Sequence, residues 1–259
     1  MKRTRSGFTL VEISLFLAIT AAIFVGVAIG TSNSIFQQRY NDAVQNYVEF
    51  LRTVYSQVSN VQSESNGRSE EAIYGKLVTF ERGNNGDNKI KTYNVIGDLE
   101  NSANSVSGNG VLDKLKELNA NIIVEKDDGS YGSVGFVDSY VPRWSSQIQT
   151  IDGWNDGYEL FTGMLLIVRS PSSGTVYTYA TDDNVETDYD KYIDDLNGGV
   201  ATLGGLLDLY SFTSKDVDFC INPNGSEKSN LRRDVRVVAK ARNASGIEII
   251  SDDESRCEP

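Results

Sequence analysis

Glu12 is the one charged side chain in the run FTLVEISLFLAITAAIFVGVAIG, from Phe8 to Gly30. An ionised carboxylate taken out of water costs several kcal/mol unless it is paired and hydrogen-bonded, so an acid at this position needs a partner or a place at an interface. Asp182, Asn184, Glu186, Asp188 and Asp190 form a second candidate group, oxygen-bearing side chains at alternate positions. Calcium loops use such spacing, but the helix–loop–helix pattern fails here: Thr187 stands at the sixth position instead of Gly, and Ile193 at the twelfth instead of Glu. The plainer reading is a solvated acidic loop, and calcium is the one cofactor the sequence offers. Cys220 and Cys257 are the only cysteines. They make one disulfide in an oxidising compartment, or two buried thiols elsewhere.

Several chemistries are excluded. The chain has no histidine, which removes Ser-His-Asp and Cys-His catalysis and histidine-ligated zinc. Two cysteines cannot supply a four-thiolate metal site. Acids are plentiful, but no spacing singles out a pair for general acid–base work, so no enzyme is expected. With 24 basic against 36 acidic side chains, wholesale nucleic-acid binding is not expected either. Asp127–Gly129 and Asp152–Gly157 read as turns, and Asn243-Ala-Ser245 matches a glycosylation sequon of the kind that arises by chance.

The elements that must position Glu12 begin with its own helix. Phe8 to Gly30 is 23 residues without proline. At about 1.5 Å per residue it reaches roughly 35 Å, enough to cross a bilayer core of about 30 Å. Lys2, Arg3 and Arg5 precede it and set a cytoplasmic N-terminus with the remainder exported. A secretory signal would have a shorter apolar core followed by a small-x-small cut site. Here the notable junction, Gly7-Phe8, lies before the apolar run. Cutting there would leave 21 basic against 36 acidic side chains, a balance of −15 that favours solubility but makes close packing of identical copies costly. Gly26 and Gly30 form a G-x-x-x-G, the small-residue spacing that lets membrane helices approach. Beyond Asn33, Tyr40, Val44, Tyr47, Leu51, Val54, Val58 and Val61 follow in steps of four and three, an amphipathic stripe. A helix from Phe8 to about Val61 would be roughly 80 Å long.

These features together resemble the class III signal of type IV pilins and the pseudopilins of type II secretion. That pattern is a short basic leader, a Gly, then Phe-Thr-Leu-x-Glu opening an apolar helix; here it reads Gly7, Phe8, Thr9, Leu10, Val11, Glu12. The resemblance covers the first 50 or so residues. It implies cleavage after Gly7 by a membrane prepilin peptidase, N-methylation of Phe8, and pairing of Glu12 with the N-terminal amine of a neighbouring subunit. It implies further partners: other pilin or pseudopilin subunits, a membrane platform, an assembly ATPase and, for a specialised subunit, a surface ligand. The implied location is a single-pass cytoplasmic-membrane protein that passes into an extracellular or periplasmic filament. Pilins commonly close a C-terminal loop with one disulfide, which Cys220 and Cys257 would supply, and some pseudopilins bind calcium. A proline that loosens this helix in some pilins is absent before Pro142.

The expected fold is α+β: a long N-terminal helix, half membrane-spanning and half amphipathic, packed on an antiparallel β-sheet domain. Residues 1–7 are the leader, 8–30 the filament-core helix, 31–61 its amphipathic continuation, 62–69 a polar linker and 70–259 the β-rich domain. Strand-like runs lie at 73–80, 89–96, 121–125, 132–138, 159–169, 175–180, 234–241 and 247–250, with a hairpin turn at 83–86, a short helix at 111–118 and a last hairpin turning at 243–246. The eleven tyrosines from Tyr55 onward are read mainly as strand filler. A minor or specialised pilin is the first reading and a pseudopilin the second. A membrane-anchored binding module that never polymerises is the alternative from another class.

Overall fold

The computed structural model describes residues 9–60, 71–82, 88–98, 110–117, 121–123, 138–152, 157–161, 163–170, 173–181, 201–223, 233–241, 244–250 and Cys257. One helix, α1, runs Leu10–Ser59, and the chain divides into two compact units, Met1–Asp42 and Ala43–Pro259.

In the first unit α1 is apolar on nearly every side from Leu10 to Gly30, Glu12 apart, and none of the described residues covers that stretch; burial begins further on, at Tyr40. Leu10 is 84% exposed and Phe24 72%. Among the described residues it is the only helix long and apolar enough to cross a bilayer. A helix that is hydrophobic all round needs a lipid or protein environment, because water gives it no face to hide.

In the second unit, α1 from Ala43 onward supplies a core face. Val44, Tyr47, Leu51, Val54 and Val58 are buried, as the steps of four and three require. Ala43, Val48 and Tyr55 are buried beside them and widen the stripe. That width suits a helix laid on sheets rather than the narrower seam of a two-stranded coil.

The strands are β1 Glu71–Arg82, β2 Asn88–Asp98, β3 Asn121–Ile123, β4 Asp138–Tyr140, β5 Gln147–Asp152, β6 Gly157–Leu160 and β7 Met164–Arg169. They continue with β8 Val176–Thr181, β9 Ala201–Thr202, β10 Phe212–Thr213, β11 Val217–Asn222, β12 Arg233–Val237, β13 Lys240–Ala241 and β14 Ile247–Ile250. Two short α-helices, α2 Val111–Glu117 and α3 Leu203–Leu209, and single 3-10 turns at Arg143–Ser145 and Ala244–Gly246 complete the described elements.

All described pairings are antiparallel. One sheet runs β10-β8-β7-β1-β2-β3-β9, with β13 on β8 and β4 on β2; a second runs β14-β12-β11-β5-β6. Leu77, Tyr93, Val95, Leu166 and Val168 of the first sheet form a core with Leu115 of α2 and Leu203 and Leu206 of α3. Between helix and strands lies an aromatic cluster. Tyr47 meets Phe219 edge-on with ring centres 6.0 Å apart, and Phe219 stacks on Phe80 at 5.4 Å and meets Phe161 edge-on at 5.2 Å. Phe50 stacks on Tyr140 at 4.7 Å. Arg52 Nη2 donates to the Ile247 carbonyl at 3.2 Å. Arg169 Nη1 donates to the Ser59 carbonyl at 2.9 Å, placing a cation on an open carbonyl at the C-terminal end of α1.

The structure corrects parts of the sequence reading. The run 159–169, expected as one strand, is two strands in different sheets. Phe161 is buried between them, its N–H bonded to the Ile148 carbonyl, while the Gly163 carbonyl accepts from Phe80 N–H, so the chain crosses from one sheet to the other at 161–163. The run 234–241 is likewise split. β12 pairs with β14, as a terminal hairpin requires, but β13 leaves to pair with β8 of the other sheet. Of the run 121–125, Asn121–Ile123 is strand, and 124–125 lie outside the described residues. The ranges 62–69, 83–86 and 127–129 lie outside the described residues, although the Arg82↔Asn88 register brackets a β1–β2 hairpin and Asp152↔Gly157 a β5–β6 hairpin.

Candidate functional site

The local geometry at the start of α1 answers the question that Glu12 raises. Thr9 and Glu12 form a reciprocal cap. The Glu12 backbone N–H donates to Thr9 Oγ1 at 3.3 Å. In return Glu12 Oε2 accepts the Thr9 backbone N–H at 2.9 Å and the Thr9 hydroxyl at 3.0 Å. The first turn of any helix leaves backbone N–H groups without partners inside the helix. Here one carboxylate oxygen and one hydroxyl satisfy two of them. Both Thr9 donors converge on Oε2, which leaves Oε1 outside the cap. An ionised carboxylate can accept about four hydrogen bonds, so Glu12 keeps capacity for a cation.

The other polar side chains of the apolar run are also satisfied within the helix. Ser14 Oγ donates to the Val11 carbonyl at 2.9 Å, Thr20 Oγ1 to the Phe16 carbonyl, and Thr31 Oγ1 to the Val27 carbonyl at 2.9 Å. From Thr9 to Thr31 every side-chain hydroxyl and the one carboxylate therefore has a partner, the condition for entering an apolar medium at low cost. Gly26 and Gly30 have open space where a Cβ would point, so none of the described residues lies against them.

Gly7 and Phe8 lie outside the described residues, as do Asp182, Asn184, Glu186, Asp188 and Asp190. Among the described residues no group of three or more acidic, cysteine or histidine side chains is disposed to hold a metal.

Cys220 and Cys257 are joined by a disulfide and both are buried. Cys220 sits in β11, between Asp234 of β12 and Gln149 of β5, so the crosslink fastens the chain's last residues to the middle of the second sheet. Beside it Arg236 grips Asp218 through two bonds, of 2.6 and 3.2 Å, a bidentate pair that raises the guanidinium's already high affinity for its proton.

On the surface of the second unit, Val141 and Trp144 are exposed apolar side chains three residues apart. Trp144 has φ of 59°, a left-handed conformation that costs a bulky residue about 1–2 kcal/mol. The turn is held by Ser146, whose N–H and hydroxyl both donate to the Arg143 carbonyl, at 3.2 and 2.8 Å.

The Thr9–Glu12 cap has a sequence signal, T-x-x-E ahead of an apolar run. No family model, curated protein or solved structure matches this chain. Its fold class is nonetheless plain: a long N-terminal helix, apolar in its first half, whose second half packs in an antiparallel α+β domain.

Proposed function

We propose that the protein is a structural subunit of a type IV pilus-like filament, a minor or specialised pilin that is cut after Gly7 and assembles through its N-terminal helix. The observation that carries this reading is α1 itself. A helix whose first half is apolar on every side and uncovered, and whose second half makes a domain core, has a half that must be covered by lipid or by other helices. A single anchor needs only lipid. The acid near its start, held by Thr9 with one oxygen spare, suits a second use: receiving the N-terminal amine of a neighbour when helices bundle. Removing one member of such a pair strands the other at a cost of about 3–5 kcal/mol, which selects for correctly cut neighbours in register.

On this reading the N-terminus begins in the cytoplasm, Phe8 becomes the methylated first residue, and the disulfide forms after export. The partners are the peptidase, sister subunits and the membrane assembly machinery. The test is incorporation of Glu12→Ala into filaments sheared from cells. The reading expects the variant to stay in the membrane fraction and to fall at least tenfold in the filament fraction, whereas a non-polymerising anchored module would show no filament fraction for either form.

A further inference from the structure

We infer that the turn from Val141 to Ser146 is a membrane-surface contact: Val141 and Trp144 rest in the headgroup layer of the bilayer that α1 crosses, with Arg143 against anionic headgroups. This needs only a membrane-crossing helix and is independent of whether the chain enters a filament.

The place of the turn in the second unit carries the argument. Arg169 of β7 holds the Ser59 carbonyl at the C-terminal end of α1, and its neighbour Val168 pairs with Gly75 of β1. Further along β1, Phe80 stacks on Phe219, which meets Tyr47 earlier in α1. β1 therefore runs back along the helix toward Ala43, and the Arg82↔Asn88 pair lies at that end. The turn joins two strands there. β4 passes Thr92 and then Ile90, and sets Tyr140 against Phe50 and Tyr47. β5 departs with Ile148 bonded to Asn88. Val141, Arg143 and Trp144 thus lie at the end of the unit where α1 enters. For a domain tethered by a membrane-crossing helix, that end is the one nearest the bilayer.

The chemistry of the turn suits a bilayer surface. Val141 is 51% and Trp144 52% exposed, and Arg143 between them is exposed as well. Indoles gather at membrane interfaces, where an apolar ring and an N–H both find partners. An arginine lays its stem along apolar surface while its guanidinium reaches an anionic headgroup. With 24 basic against 36 acidic side chains, most of this protein is repelled by an anionic leaflet, so a cation beside an exposed indole marks the part that approaches. The turn is also stiff. Pro142 and Ser146 are buried on either side, and Trp144 keeps its left-handed backbone, φ 59°, where a glycine would be free of strain.

The test is quenching of tryptophan emission by lipids brominated near the glycerol end of their chains. It is measured on the full chain reconstituted in phosphatidylglycerol vesicles and in phosphatidylcholine vesicles. Trp154 is common to wild type and Trp144→Gly, so their difference isolates Trp144. Trp144→Gly also relieves the left-handed backbone, so its thermal midpoint in detergent should be no lower than wild type, and a lost signal is not a lost fold. The expected result is Trp144 emission quenched by lipid, more strongly in phosphatidylglycerol, with Arg143→Gln removing that preference. Trp144 emission unchanged by the brominated lipids would overturn the inference. Equal quenching of wild type in the two lipids would overturn the headgroup contact of Arg143. Emission untouched by lipid yet shielded from aqueous iodide at high protein-to-lipid ratio would overturn it in favour of a second copy of this chain covering the turn.

Discussion

Asn88 Oδ1 accepts a hydrogen bond from the Ile148 backbone N–H at 2.7 Å, and so ties the first residue of β2 to β5 in the other sheet. The same side chain donates through Nδ2 to the Phe161 carbonyl at 3.1 Å, just beyond the end of β6. Asn88 is fully buried, so neither backbone group has water as a substitute.

Asn88→Ala should therefore destabilise the domain by about 2–5 kcal/mol, because two buried backbone groups lose their partners at once. Urea unfolding in detergent, followed by tryptophan fluorescence, reads this as a lower midpoint. A loss below about 0.5 kcal/mol would mean that water replaces the side chain there.

The disulfide spans 37 positions, and closing a loop of that length stabilises the fold by about 4 kcal/mol in the chain-entropy model. Joint Cys220→Ala and Cys257→Ala substitution should lower stability by about that much. Hydrogen exchange should rise first in β12 and β14, which lie between the two cysteines. Equal loss of protection throughout both sheets would show that the crosslink holds the whole domain rather than its end.

Alkaline pH should weaken the fold through its buried tyrosines, Tyr93 and Tyr140 among them. Burial pushes Tyr93 up to about 12, helped by the nearby Glu81 charge, and burial also pushes Tyr140 up to about 12 against the opposing effect of Arg143. In the unfolded chain both titrate near 10. Between those values the folded state holds more protons than the unfolded one, so stability falls as pH rises. The contribution is complete below pH 10 and is lost on passing 12. Urea midpoints measured from pH 9 to 12 should decline, and Tyr140→Phe should make the decline shallower.

Gly246 closes the turn before β14, and a Cβ there would lie 2.5 Å from the Ala241 Cβ and 2.8 Å from Val238 Cγ2. Gly246→Ala should cost about 1–3 kcal/mol through overpacking. A thermal midpoint equal to wild type would show that β13 yields freely.

The sequence was most legible where one physical rule acts alone. The amphipathic stripe of α1 followed from spacing, since Val44, Tyr47, Leu51, Val54 and Val58 recur at helical period and all are buried. β1 and β2 also stood out, as long runs flanking a Gly-rich turn. Legibility failed where long-range pairing decides. β11 reads VDFCIN, and most of it is buried, so its alternation is blurred and carries little strand signal. β5 reads QIQTID and takes its place from partners on either side, β11 and β6. The breaks at 161–163 and 238–239 carry no strong local stop. They exist because Phe161 and β13 find partners in sheets that the local sequence cannot specify. At the site itself, the leader junction and Glu12 were visible as a motif. The Thr9–Glu12 cap adds to that motif a hydroxyl three residues before the acid.

The most direct test of the filament account is the intact mass and N-terminal peptide of the protein purified from membranes. The account predicts loss of residues 1–7, with Phe8 as the first residue and its amine free or methylated. An intact Met1–Gly7 leader, in cells with a working prepilin peptidase, would contradict it and leave a membrane-anchored domain.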